Sequence, residues 1–203
     1  MKTNKTLLCA LFFNMIFMGC EKTENILPQT VTKIPVPLKE VAYTHTYFTV
    51  MKPPAYSAKK EDNGVYFTSP DGKIHFYAYG VEGEGTPIPK GQKVGYAPSL
   101  FEKQKTEEML LSQRTVEKEN PTGYGYVASR YSTYGSTISN HYRSFIAKRE
   151  CHYGFGDYGD GASRCKCRYY TIGVIYPNKN IFEQYKDVFM HFKDSFQFKK
   201  KKG

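Results

Sequence analysis

Tyrosine and phenylalanine supply 32 of the 203 residues, tryptophan is absent, and the aromatic residues recur in alternating runs broken by turn residues. The clearest case is Gly64-Val65-Tyr66-Phe67-Thr68-Ser69, then Pro70-Asp71-Gly72, then Lys73-Ile74-His75-Phe76-Tyr77-Ala78-Tyr79. Aromatic and β-branched side chains suit a pleated, half-buried surface. Proline presets one backbone angle and glycine accepts positive φ, so the middle triplet is a turn. The pattern predicts a β-hairpin and commits the chain to a sheet with an aromatic core.

Other segments read the same way. Tyr43 to Val50 is strand-like and is stopped by Pro53-Pro54. Residues 80–98 form a Gly- and Pro-rich loop. Three more strands are expected near 123–131, 141–150 and 168–176, the last with Tyr170, Ile172, Val174 and Tyr176 on one face. Two helices are expected. Over 99–119, Ser99 with Glu102 three residues on makes a capping box, and Asn120-Pro121 stops the helix. Its apolar residues Leu100, Phe101, Met109, Leu110 and Leu111 are unevenly spaced and give only a narrow stripe, and its glutamates, Glu107, Glu108, Glu117 and Glu119, are assigned to a solvated face. Near the C-terminus, Phe182, Tyr185, Phe189, Phe192 and Phe196 recur at spacings of 3, 4, 3 and 4, one helical face. The expected class is α+β, an antiparallel sheet of about six strands covered by helices.

The N-terminus carries a different signal. Lys2 and Lys5 precede an apolar stretch from Leu7 to Met18. As a helix this spans roughly 18 Å, short of the ~30 Å hydrocarbon core, so an export signal fits better than a spanning helix. It ends in Phe17-Met18-Gly19-Cys20, which resembles the lipobox of bacterial lipoproteins, with Phe17 and Met18 departing from the usual pattern. The resemblance implies removal of residues 1–19, lipid on the Cys20 sulfur and attachment to the cell envelope. Glu21, in place of the aspartate that retains lipoproteins at the inner membrane, points to the outer membrane. Residues 20–40, with Pro28, Pro35 and Pro37, then form a tether, 41–198 one domain, and 199–203 a basic tail.

The formal charge is +10, and +8 once residues 1–19, with two lysines and no acid, are gone. Part of it is the Lys199–Lys202 run, read as a solvated end, with attraction to anionic lipid headgroups or another polyanion as the alternative. A membrane-anchored exported chain has no expected nucleic-acid partner. Cys9 leaves with the signal and Cys20 takes lipid. An oxidising compartment then predicts one disulfide and one leftover thiol among Cys151, Cys165 and Cys167.

Two segments resemble PsbP-like domains. Tyr47 to Tyr79 has a strand, a Pro-containing stretch and a hairpin with a Ser-Pro-Asp-Gly turn; Tyr170 to Phe198 has a closing strand, a Tyr-Pro turn and a helix finishing in Ser195-Phe196. The family includes PsbP, the Mog proteins and lipoproteins such as DcrB. The resemblance implies an α/β/α sandwich that binds or scaffolds other proteins and has no catalytic residues. Residues 151–167, rich in Gly and Cys, are an insertion relative to that pattern.

No motif points to an enzyme or a cofactor. Cys151-His152 with Cys165-Lys166-Cys167 lacks a C-x-x-C pair for zinc, and Asp157, Asp160 and Gly161 do not match the EF-hand spacing. His45, His75, His141, His152 and His191 form no H-E-x-x-H, and neither a G-x-S-x-G elbow nor a Walker loop occurs. A Tyr/Arg stretch remains: Tyr124, Tyr126, Arg130, Tyr131, Tyr134, Tyr142 and Arg143, residue types favoured at interaction surfaces. The expected function is a lipid-anchored envelope protein acting as a non-catalytic protein-binding or scaffolding module, with an envelope protein as partner. A glycan- or polyanion-binding lipoprotein using the Tyr/Arg surface is the alternative.

Overall fold

The computed structural model describes residues 31–36, 40–85, 103–119, 126–152 and 165–199. The signal segment, Cys20, the region 86–102, Tyr124, Asp157, Asp160 and the tail beyond Lys199 lie outside them.

Eleven elements follow in chain order: β1 Val41–Thr44, β2 Phe48–Lys52, β3 Ser57–Glu61, β4 Gly64–Thr68, β5 His75–Gly85, β6 Met109–Glu119, β7 Tyr126–Ser136, β8 His141–His152, β9 Cys165–Tyr176, α1 Lys179–Asp194 and β10 Gln197–Phe198. Seven strands form one antiparallel sheet in the order β3-β4-β5-β9-β8-β7-β6. The small sheet β1-β2-β10 is also antiparallel.

This overturns the expected architecture. The chain is mostly β, with one α-helix among the described residues, and the α/β/α sandwich with helices covering the sheet is not what forms. The segment expected to be a helix, 99–119, supplies β6 from Met109 onward. The capping box has only a narrow, unevenly spaced stripe behind it. Thr115 and Val116 are β-branched, and ten rungs of pairing to β7 outweigh local helix preference. Residues 80–85 of the expected loop are strand instead, because β5 stays paired to β9 as far as Gly85↔Cys165; the rest of that loop, 86–98, lies outside the described residues. The single strand expected over 43–50 is broken at 45–47 into β1 and β2, where the His45 N–H bonds back to the Phe48 carbonyl.

The hairpin forms as read, and the C-terminal helix forms but stops at Asp194, so that Phe196, expected on its apolar face, lies beyond it. β4 and β5 pair from Thr68↔His75 to Gly64↔Tyr79. The turn is held by Asp71, which accepts from the Ser69 hydroxyl at 2.6 Å and the Lys73 N–H at 3.1 Å, while Gly72 takes φ 70°. Helix α1 starts at Asn178, whose Oδ1 accepts from the Ile181 N–H at 3.0 Å. It ends at Ser195, whose hydroxyl donates to the Phe192 carbonyl and accepts from the Met51 N–H, tying the helix end to β2.

Helix α1 and the small sheet lie over one face of the large sheet. Between them sit Phe48, Val50, Val65, Phe67, Phe76, Val174, Val188, Phe189 and Phe192. Burying each large side chain contributes about 1.5–3 kcal/mol. The opposite face carries a second cluster, Tyr77, Tyr134, Phe145 and Ala147. There the Tyr77 ring folds across Gly173; a Cβ at that position would come within 2.3 Å of the Tyr77 hydroxyl.

Candidate interaction surface

Strand alternation decides where the Tyr/Arg stretch goes. Tyr131 and Tyr142 share the sheet face that carries α1, because their rungs run through Ile146↔Ile172 and Tyr176. Arg130, Tyr134 and Arg143 fall on the opposite face, and the backbone of Tyr126 pairs with Cys151. Tyr134 and Arg143 are buried. The structure therefore does not gather the stretch into one exposed face; Tyr124 lies outside the described residues.

Arg143 belongs instead to a buried ionic cluster. Its Nε donates to Glu108 Oε1 at 2.9 Å and its Nη2 to Glu108 Oε2 at 2.5 Å. The Glu108 side chain is 0% exposed, against the solvated helix face assigned from the sequence. Nη2 also donates to the Lys103 carbonyl at 3.0 Å, the Lys105 N–H donates to Glu108 Oε2 at 3.1 Å, and His141 Nε2 lies 3.1 Å from Oε1. The guanidinium sits over the rings of Tyr134 and Phe145. Burial by itself would raise the Glu108 pKa; hydrogen bonds from Arg143, the Lys105 backbone and His141 outweigh it and hold the carboxyl at about 2. The cluster clamps the segment 103–108 onto β8, so that the chain enters β6 at a fixed point.

The two rims of the large sheet differ. β3 is five residues long and carries Lys59, Lys60 and Glu61, which block strand addition. β6 is eleven residues long, and among the described residues it pairs only with β7. Residues 109–116 are exposed. The register slips between Leu110 and Ser112, a bulge at Leu111, and is regular from Ser112 to Glu119. Beside this rim, on the α1 side, lies an open cavity of about 370 Å³ lined by Arg114, Tyr131, Thr133, Ser144, Ile146 and Phe189. Arg114 stacks its guanidinium 4.2 Å from the Tyr131 ring centroid.

Strands β8 and β9 are stapled at their far end by a disulfide between Cys151 and Cys167, which face each other on one rung. Of the pairings open in the sequence, this one leaves Cys165 as the third cysteine. The Arg149 Nε lies 3.2 Å from the Cys151 sulfur. In the chain-entropy account a closure across a separation of 16 residues is worth about 3 kcal/mol. Among the described residues no group of three or more His, Cys, Asp or Glu side chains could hold a metal ion. His45 is buried and stacked on Phe48, and His75 bonds Thr68.

No known family model matches the chain, and neither does any curated protein.

Sequence reasoning missed β6 as a rim because it assigned a helix there. The signal available was the run Thr115-Val116 within an otherwise polar alternation. The Glu108–Arg143 pair spans 35 positions and leaves no local trace.

Proposed function

We propose that this chain is a lipid-anchored envelope protein whose domain is a non-catalytic protein-binding module, taking an extended segment of an envelope partner along β6. The observation that carries this reading is the asymmetry of the rims: β3 is five residues long, whereas β6 is eleven, exposed from 109 to 116 and, among the described residues, joined to β7 alone. Strand addition supplies affinity through main-chain hydrogen bonds, and alternate side chains of the added segment supply specificity. Those on the α1 side would enter the cavity beside Arg114 and Tyr131, so an acidic residue in the partner is favoured there. The lipobox-like Gly19-Cys20 supports the anchor.

Two experiments test the two halves. A Cys20→Ser chain will take no fatty-acid label in growing cells and will leave the membrane fraction; label retained by the variant rules Cys20 out. The rim is tested by pull-down from detergent-solubilised envelope. A double variant, Arg114→Glu with Val116→Lys, alters two exposed side chains of β6 and will lower recovery of the enriched partner about ten-fold, equivalent to ~1.4 kcal/mol. Unchanged recovery, or no protein enriched by the parent chain, overturns the rim as the binding site.

A further inference from the structure

We infer that one end of the large sheet rests on an anionic bilayer, with Ile138 and its apolar neighbours as the contact. The proposal rests on the reading of Cys20 as a lipid anchor.

Ile138 lies in the β7–β8 turn and is 85% exposed, in a place where polar residues are the rule. Met109, Leu111 and Tyr142, all exposed, stand at the same end: Met109 pairs with Gly135 in the last rungs before the turn, and Tyr142 is the second residue of β8. A strand added to β6 would not cover Ile138, because the turn lies beyond the final rung Ser136↔His141. A lipid surface covers the whole end at once. Tyr142, stacked on Tyr176, suits the boundary between headgroups and acyl chains.

The path of the tether points the same way. Its Ile34 N–H bonds the Gln184 carbonyl of α1, and Ile34 and Pro35 line a cavity with Pro70 and Asp71 of the β4–β5 turn, which sits at this same end of the sheet. Ten residues lie between Cys20 and Val31, a reach of at most about 40 Å, so a lipid on Cys20 would keep the domain within that distance of the bilayer. Exposed lysines at this end, Lys103, Lys105 and Lys179, complement anionic headgroups, while Lys73 is paired with Asp71.

The absence of tryptophan makes the test direct, since Ile138→Trp places a single reporter at the tip. The full chain, purified from membranes, is reconstituted in vesicles of phosphatidylethanolamine and phosphatidylglycerol carrying brominated acyl chains. The expected result is a blue-shifted emission quenched roughly two-fold or more by the bromines, because an interfacial side chain sits about 5–10 Å into the headgroup–acyl boundary. A Thr46→Trp chain, with its reporter in the exposed β1–β2 connection beside Phe48, which packs near Gly80 towards the opposite end of the sheet, should show neither change. Vesicle flotation of the Ile138→Trp chain with its emission unquenched, or equal quenching in both variants, overturns the tip contact and leaves the anchor standing. A chain without acyl mass that fails to float overturns both.

Discussion

An Arg143→Ala protein will lose about 3–5 kcal/mol of unfolding free energy, the cost of leaving one partner of a buried ion pair uncompensated. Glu108 has no solvent to turn to: its side chain is 0% exposed and both oxygens are committed to Arg143. The same contacts give the Glu108 carboxyl a downward pKa shift. Its sign fixes the pH dependence. The folded-state pKa lies below the unfolded value, so the stabilisation is complete above about pH 4.5 and is lost as pH falls from there through about 2. Urea denaturation followed by circular dichroism at several pH values checks both claims. The parent should become steeply less stable across that acid window, and Arg143→Ala should show a much flatter profile. Parallel profiles would mean that the pair does not set the acid response. Removing the clamp also frees the chain ahead of Met109, so partner recovery through β6 should fall with stability.

Phe192→Ala carries the second large effect, a destabilisation of about 3–5 kcal/mol. Phe192 is 0% exposed, and its ring lies against Phe67 of β4 at 5.6 Å, Phe76 of β5 at 5.3 Å and Phe189 of α1 at 6.4 Å. It joins the helix to β4 and β5 of the large sheet, so the vacated volume lies between two rigid layers that collapse poorly onto it. A Phe192→Leu variant keeps much of the volume and should lose far less. Thermal and denaturant unfolding measure both. A loss below about 1 kcal/mol for the alanine variant would show that α1 does not depend on this contact, since that is the size of an average substitution.

What could be read from the chain divides by the range of the interaction responsible. Turn chemistry is local, and Pro70-Asp71-Gly72 located the β4–β5 hairpin. Helical periodicity is also local, and the aromatic series from Phe182 to Phe196 located α1, although the helix stops at Asp194, ahead of its last member. β3 escaped notice because Ser57 to Glu61 lies on an exposed rim, where neither face is buried and no alternation is required. β6 was mistaken for a helix because Ser99 and Glu102 supply a start signal, whereas the strand is dictated by β7, a partner further along the chain. The Tyr/Arg stretch shows the limit for a site. Residue types suggested one surface, but strand parity sends Tyr131 and Arg130 to opposite faces, and Arg143 is claimed by a glutamate 35 positions earlier. The disulfide lay between: three cysteines allowed several pairings, and the rung Cys151↔Cys167 selected one.

The unequal rims of the large sheet also govern how copies of the chain behave when crowded together. Endless fibre growth by rim-to-rim stacking needs each molecule to offer two receptive margins, one to accept and one to extend. The lysines of β3 disfavour the second, so a neighbour that docked on β6 would end the series rather than extend it.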